Sequence, residues 1–231
     1  MKRPVLVFAA ILAVSAAVAR AEDTPPVAAA PAAAAPDVVA QGVRTYAIDG
    51  KKSVLAVQVF KAGAAAALAH DHVIHATAMS GSITVDAANP SLAKVEVTVP
   101  TKSLVNDDPK VRKQYGVVTD ISDDDKATVL EHMQAEGQLD IAKFPTITFV
   151  STSATGSGNK LTLNGRLTLH GVTKDISLPI EATIKGNTID GKGSVKLNTS
   201  DFGIQPYSAF FGAVKNKDGI VLHVHLVANA S

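Results

Sequence analysis

The segment from Phe144 to Ile184 constrains the fold most, because apolar and polar residues alternate along three successive runs. The middle run shows the pattern clearly, with four leucines on one face: Leu161, Leu163, Leu167 and Leu169. Side chains of a strand point alternately to its two faces, so a period of two predicts half-buried strands. The connections are short and rich in small or polar residues, which favours antiparallel neighbours over parallel strands joined by crossover helices.

Similar runs predict further strands at 44–49, 54–60, 82–86, 94–99 and 219–228. Gly191-Lys192-Gly193 is predicted as a turn between two short strands, 188–190 and 194–199. The alanine-rich residues 61–69 suit either a helix or an irregular loop. Residues 101–121 are long, polar and poorly patterned, which predicts a loop with a functional role, because compact domains rarely keep such loops otherwise.

One helix is predicted. Ser122 can cap its start, three aspartates follow in its first turn, and Gly137 can end it. An apolar stripe at helical spacing, Val129, Leu130 and Met133, predicts packing of this helix on one rim of the sheet.

The pattern predicts a mainly β fold of antiparallel strands, and an antiparallel eight-stranded barrel with one capping helix is one of the two architectures that satisfy it. A sheet of about eight or more antiparallel strands must protect its edges, and closure into a barrel removes them. An eight-stranded barrel has an interior that side chains fill or that holds one small ligand. The alternation pattern alone leaves open a sandwich instead of a barrel, and a filled interior instead of a hollow one.

The chain divides into three parts. Residues 1–21 have a basic start, a short apolar run and small-residue cleavage sites, which predicts a secretory signal peptide, the alternative being a retained anchor. Residues 22–42 form an Ala/Pro-rich linker, and residues 43–231 form the barrel domain. The sequence contains no cysteine, so packing without disulfides must hold the domain together.

Charge and composition argue against several partners. Removal of the signal peptide leaves 19 basic residues against 21 acidic ones, without the basic stripe typical of nucleic-acid binders. The sequence shows no basic amphipathic helix that would attract the chain strongly to anionic lipid. We also expect no stable membrane insertion of the mature chain. Tryptophan is absent and aromatic residues are few, which argues against stacking platforms for bases.

Four motifs resemble those of the YceI-like family of bacterial lipid- and polyisoprenoid-binding proteins. The most specific is GRLTLHGVTK at 165–174, and the others are FPTITF at 144–149, SDFGI at 200–204 and YAID at 46–49, where the family opens with tryptophan. The resemblance covers residues 46–227. It implies an extended lipocalin-like barrel that encloses a long isoprenoid tail and is exported to the periplasm. The chain departs from the family at the alanine-rich run before His72 and in its longer segment between Pro100 and Ser122.

A carrier of this kind needs a dry interior, so we expect the inward strand faces to line it. The candidates are Ile147, Phe149, Leu167, Leu169, Leu178, Ile180, Val195, Leu197, Leu222 and Val224. The alternative is that these side chains fill a solid core. The resemblance implies a polyisoprenoid or fatty-acid-like ligand and no other cofactor, and it leaves open whether two chains form a homodimer.

A second hypothesis is metal binding. His70 and His72 would share a face of an extended segment, as would His223 and His225. Two adjacent pairs could supply imidazoles to zinc or copper, with Asp71 orienting one ring. The alternative is that they are polar histidines on exposed strand faces.

An enzyme is the third hypothesis, and the sequence offers little for it. It contains no Gly-x-Ser-x-Gly elbow, His-Glu-x-x-His motif or phosphate loop. The sequence therefore predicts a secreted, non-enzymatic binding protein.

Overall fold

The computed structural model describes residues 42–86 and 89–231. The predicted signal peptide, residues 1–21, and all but the last residue of the predicted linker, residues 22–42, lie outside the described residues. The described residues form twelve strands and two α-helices. In chain order these are β1 (Val43–Ile48), β2 (Val54–Ala62), β3 (His72–Ala76), β4 (Ser80–Asp86), β5 (Lys94–Pro100), β6 (Leu104–Asn106), α1 (Pro109–Gln114), α2 (Asp123–Gln134), β7 (Thr146–Ser157), β8 (Lys160–Leu169), β9 (Val172–Lys185), β10 (Thr188–Asn198), β11 (Ser208–Ala209) and β12 (Val214–Ala230).

Eight of these strands close into an antiparallel barrel, which confirms the architecture that the resemblance implied. The ring runs β1-β4-β5-β7-β8-β9-β10-β12 and returns to β1. Closure rests on pairs such as Tyr46 with Ala230 and Ile48 with Ala228. The closed ring removes the free edges that an open sheet would expose.

The long strand β12 joins this ring to a second stretch of wall. One of its edges pairs with β10 from Gly219 to Asn229. Its other edge pairs with β2 over its first part and with β1 only at its last residues. Strands β3 and β6 extend the wall from β2, and α2 packs against β6. The barrel therefore has one end closed by strand pairing and another end completed by β2, β3, β6 and α2.

The interior is filled with side chains toward the end where β1 meets β12. A continuous apolar cluster there includes Tyr46, Ile83, Val95, Leu163, Ile189, Leu226 and Ala228, each less than a tenth exposed. Burial of this apolar surface stabilises the barrel, at about 25 cal/mol for each Å² removed from water. The chain contains no cysteine, so this packing stabilises the domain without the help of disulfides.

The predicted turn at Gly191-Lys192-Gly193 is wrong, because β10 runs unbroken through it. Gly193 pairs with Ile180 on one side and Val224 on the other. A Cβ on Gly193 would lie 2.2 Å from the Pro179 carbonyl oxygen. The glycine here permits close approach of two strands, a role that glycine has inside strands as well as in turns.

The segment 101–121 is also more regular than the sequence indicated. It contains the short strand β6 and the six-residue helix α1, whose Asp108 side chain accepts hydrogen bonds from two backbone N–H groups at the helix start. The alanine-rich residues 61–69 end β2 and then form a single turn of 3₁₀-helix, Ala66–Leu68.

The predicted helix is α2, and Ser122 caps it as expected. The Ser122 hydroxyl oxygen accepts a hydrogen bond from the Asp125 backbone N–H at 3.1 Å. The helix ends at Gln134, three residues before the glycine predicted to end it, because Ala135 already has extended backbone angles. No helix in the described ranges is both long enough and apolar enough to cross a bilayer.

Candidate functional site

An apolar cavity of about 360 Å³ occupies the half of the barrel that the core leaves empty. Its walls are the inner faces of β2, β3, β8, β10 and β12, with aliphatic side chains such as Val57, Leu167, Leu197 and Leu222. Pairs across these strands place side chains in one row, for example Val195, Leu222, Val57 and Ile74. Residues directly opposite each other share a face of a sheet, so this row lies on the inner surface.

The ten residues predicted to line a cavity divide according to their position along the barrel. Five border the cavity: Ile147, Leu167, Leu169, Leu197 and Leu222. The other five do not border it. Phe149, Ile180 and Val224 pack against the filled core. Leu178 is buried opposite Leu163, and Val195 is half-buried. A ligand contact for the first group remains a prediction.

Sequence reasoning missed two parts of the cavity wall. One is the row Leu55, Val57 and Val59 on β2. Their alternation was visible, but β2 is apolar on both faces, so its inward side could not be assigned. The other part is Ile204 and Tyr207, which come from an irregular segment that no strand periodicity reveals.

The cavity is covered by a lid, which we define as α2 together with residues 204–207. Val129 and Met133 of α2 face the cavity. The His132 ring stacks on Tyr207, with ring centroids 5.1 Å apart. The amide nitrogen of Gln138 donates a hydrogen bond to the Gln205 carbonyl oxygen at 2.8 Å. The ring stack joins the two parts of the lid, and the Gln138 hydrogen bond ties the segment that follows α2 to residues 204–207.

A buried ionic network fixes the chain that leads into the lid. Asp107 is fully buried, and its carboxylate accepts hydrogen bonds from His72 Nδ1 at 2.7 Å and from the Val73 backbone N–H at 3.0 Å. The guanidinium of Arg112, also buried, donates to the same carboxylate. Arg112 donates further to the Thr119 carbonyl oxygen at 2.7 Å, just before α2.

The network determines the charge state of Asp107. Burial by itself raises the pKa of this carboxyl group. The hydrogen bond and charge of His72, with the bonds from Val73 and Arg112, outweigh burial and lower the pKa to about 2. His72 also borders the cavity, so its ring connects the cavity wall to this fixed ion pair.

Two of the four histidines proposed as metal ligands lie on the outer surface of the wall. His223 donates to the Gln58 side-chain oxygen at 2.8 Å and packs on the Tyr115 ring at 4.5 Å. Burial lowers the pKa of His223. His225 Nε2 lies 2.9 Å from a carboxylate oxygen of Asp190.

The other pair, His70 and His72, borders the cavity on the inner side. The carboxylate of Asp71 accepts a hydrogen bond from the Lys61 backbone N–H and does not orient a histidine ring. The predicted four-histidine metal arrangement is therefore wrong, because the sheet wall separates the two pairs. The described residues contain no group of three or more His, Cys, Asp and Glu side chains that could hold a metal ion.

Comparison with known proteins gives the family. Residues 46–228 match the YceI-like domain. The chain belongs to the YceI-like family. It is 34% identical over 131 residues to a UPF0312 protein of Pseudomonas paraeruginosa, and 34% identical over 132 residues to Protein YceI of Salmonella arizonae. Each alignment covers 54% of this chain and only 59% of the relative.

Solved structures show the same fold. Burkholderia cenocepacia BcnA superposes with a TM-score of 0.58 at 18% identity, covering 79% of this chain and 99% of BcnA. A YceI protein of Campylobacter jejuni superposes with a TM-score of 0.52 at 22% identity, covering 68% of this chain and 84% of that protein. At these identities the likeness concerns the YceI-like barrel alone.

Three of the four YceI-like motifs, those that contain Phe144, His170 and Phe202, meet at the turn between β8 and β9. His170 and Gly171 form the two-residue connection between β8 and β9, with φ values of 51° and 74°. Positive φ at both positions is the requirement of a type I′ hairpin. The His170 ring packs edge-on against Phe144 at 4.5 Å, and its Nδ1 donates to the Phe202 carbonyl oxygen at 3.3 Å.

Proposed function

We propose that this YceI-like protein binds a long apolar ligand, of the polyisoprenoid or fatty-acyl class, in the hollow half of its barrel and carries it through water. The observation that carries the proposal is the aliphatic cavity beneath the lid. The other end of the same barrel is filled by the apolar cluster that includes Leu163 and Ile189, and the cavity borders the lid residues Val129 and Met133.

The size of the cavity sets how much ligand it encloses. A water-sized group occupies about 30 Å³, so 360 Å³ accommodates about a dozen non-hydrogen atoms. That corresponds to two or three isoprene units or a medium acyl chain. A longer chain would have to extend through the mouth or displace the lid.

The energetics favour binding of such a chain. Transfer of about twelve carbon groups from water at about 0.8 kcal/mol each offers roughly 10 kcal/mol before ordering of the ligand is subtracted. Ordering and association subtract at least about 4 kcal/mol, so the enclosed part of the ligand alone leaves at most about 6 kcal/mol, which corresponds to a dissociation constant of tens of micromolar or weaker. Parts of a longer chain outside the cavity would have to supply any tighter binding.

Polar groups at the mouth suit a ligand with one polar end. His70, Asp125, His132 and Lys217 border the same cavity as the aliphatic wall. A chain inserted tail first would leave its head group near these side chains. This arrangement favours an amphiphilic ligand over a plain hydrocarbon.

The proposal is binding without catalysis, in the periplasm. The buried His72–Asp107 pair lies beside Arg112, and the low pKa of Asp107 holds it as an anion at neutral pH. An ion pair fixed in this way supports the wall and is poorly matched to proton transfer near pH 7. The basic start and cleavage sites of residues 1–21 support export.

Organic extraction and mass spectrometry of untagged protein from its native host test the proposal. The expected result is a stoichiometric isoprenoid or acyl lipid. A second arm uses a fluorescent fatty acid as probe. The substitution Leu167→Trp fills the cavity and should weaken probe binding at least tenfold. Val150→Trp, at an exposed position, is the matched control and should leave it unchanged.

Two outcomes would overturn the proposal. One is protein that carries no extractable lipid and binds no probe. The other is equal loss of probe binding in both tryptophan variants, since binding would then not depend on the cavity.

A further inference from the structure

Three large apolar side chains project into solvent from two neighbouring loops. Leu68 is 83% exposed, Phe210 is 77% exposed, and Phe211 is fully exposed. The backbone N–H of Ala65 donates to the Ala213 carbonyl oxygen at 2.8 Å, which ties the two loops together. We define Leu68, Phe210 and Phe211 as the apolar tip.

The apolar tip lies at the mouth of the cavity. Ala69, directly after Leu68, borders the cavity. Val214, three residues after Phe211, borders it from the other loop. Any ligand that enters or leaves on this side passes close to the tip.

The backbone holds the two phenylalanines in an unfavourable conformation. Phe210 and Phe211 have φ values of 51° and 55°, in the left-handed region of backbone space that residues other than glycine rarely adopt. Such conformations are energetically unfavourable for residues other than glycine, and they concentrate at functional sites. Exposed apolar clusters on a folded domain mark contact surfaces. The fold thus presents two aromatic rings to solvent at an energetic disadvantage.

Positive charge adjoins the tip. Lys215 and Lys217 are exposed on the first residues of β12. Lys215 is four residues past Phe211 and therefore lies within about 14 Å of it along the chain. The nearby carboxylates are engaged: Asp71 accepts from the Lys61 backbone, and Asp218 accepts from the side chains of Thr199 and Ser200.

We propose that the apolar tip inserts into the surface of a lipid bilayer and places the mouth of the cavity against the membrane. Aromatic side chains partition into the interfacial region of a bilayer, and nearby lysines attract anionic head groups. The docking is peripheral and reversible, which distinguishes it from insertion of a transmembrane segment. It goes beyond ligand carriage and does not depend on the identity of the ligand.

The absence of tryptophan from the chain allows a direct test. Phe211→Trp supplies the only tryptophan, and vesicles of equal parts phosphatidylcholine and phosphatidylglycerol supply the membrane. The expected result is a blue shift of emission on vesicle addition, with quenching by brominated lipid. Ile184→Trp is the matched control, at an exposed apolar position on the strand pairs of the filled end, and its emission should not change.

A partition measurement completes the test. Vesicle co-sedimentation of the Phe210→Ser/Phe211→Ser double variant should fall roughly tenfold or more, since two rings no longer leave water. Lys215→Gln/Lys217→Gln should lose binding severalfold on anionic vesicles only, and the loss should diminish at high salt. Circular dichroism checks that the variants fold.

Unchanged emission of Phe211→Trp, or an equal shift in Ile184→Trp, would overturn membrane docking. A concentration-dependent dimer in wild type that the double serine variant abolishes, without vesicle binding, would assign the tip to a second copy of the chain. Lipid extraction is independent of both readouts, so failure of the carrier proposal and failure of docking are distinguishable.

Discussion

Asp107→Asn is the substitution that tests the buried network most sharply. Asparagine keeps the shape of the side chain and removes its charge. His72 and Arg112 then face a neutral group, and the buried guanidinium loses its counterion. We expect a large loss of stability from this single change.

The magnitude follows from the pKa and from burial. A pKa of about 2, against 3.8 for an ordinary aspartate, corresponds to about 2.4 kcal/mol of stabilisation of the charged form at neutral pH. Removing one partner of a buried ion pair typically lowers stability by about 3–5 kcal/mol. The free energy of unfolding of Asp107→Asn should therefore fall by about 2.5–5 kcal/mol.

The pH dependence has a definite sign. The pKa of Asp107 is lower in the folded protein than in the unfolded chain, so its contribution is complete above about pH 5 and is lost as pH falls toward 2. Urea unfolding followed by far-ultraviolet circular dichroism at several pH values measures this. The gap in unfolding free energy between wild type and Asp107→Asn should narrow by about 2 kcal/mol between pH 5 and pH 2.

Asp123→Asn is the control, because Asp123 also pairs with a basic side chain, that of Lys126, but is almost fully exposed. Its effect should stay below about 1 kcal/mol. A loss below 1 kcal/mol for Asp107→Asn, or a gap that does not change with pH, would refute the view that a buried carboxylate anchors the lid segment.

Two further predictions concern the lid and the wall. Tyr207→Ala removes the ring stack on the lid helix and should speed release of a bound fluorescent fatty acid about 2- to 10-fold. Tyr115→Ala is the control, because it removes a similar ring contact on the outer wall and should leave the release rate unchanged. Equal release rates in the two variants would contradict a lid role. Gly193→Ala should lower the unfolding free energy by 2 kcal/mol or more, because its Cβ would meet a carbonyl oxygen at 2.2 Å. Gly191→Ala, in the same strand, is the control, because its Cβ would lie 3.7 Å from the Ala182 Cβ and should change stability by less than about 1 kcal/mol. Similar melting temperatures for the two alanine variants would argue against a close approach of Gly193 to the Pro179 carbonyl oxygen.

Much of the barrel was predictable because alternation survives wherever one strand face is dry. The runs in β7, β8 and β9 show it directly, and the cap at Ser122 located α2 within a few residues. The turn predicted at Gly193 was wrong because a single sequence does not distinguish a glycine inside a strand from a glycine in a turn. The structure distinguishes them, because a Cβ on Gly193 would lie 2.2 Å from the Pro179 carbonyl oxygen of the neighbouring strand.

The candidate site was less predictable than the fold. Periodicity assigns a residue to the inner face, but not to a height along the barrel. Leu167 borders the void and Leu163, four residues earlier on the same face, is packed in the core. The anchor at Asp107 was equally hidden, because a carboxylate in a polar segment resembles a solvated one until burial and its partners are known.

The division of the interior into a solid half and an empty half separates two evolutionary pressures. Residues around Leu163 and Ile189 must keep their volume for the chain to fold at all. The residues around Leu167 and Leu222 need only remain apolar and leave the cavity unfilled. Substitutions at the hollow end can therefore reshape the cavity, while the packed end continues to stabilise the fold.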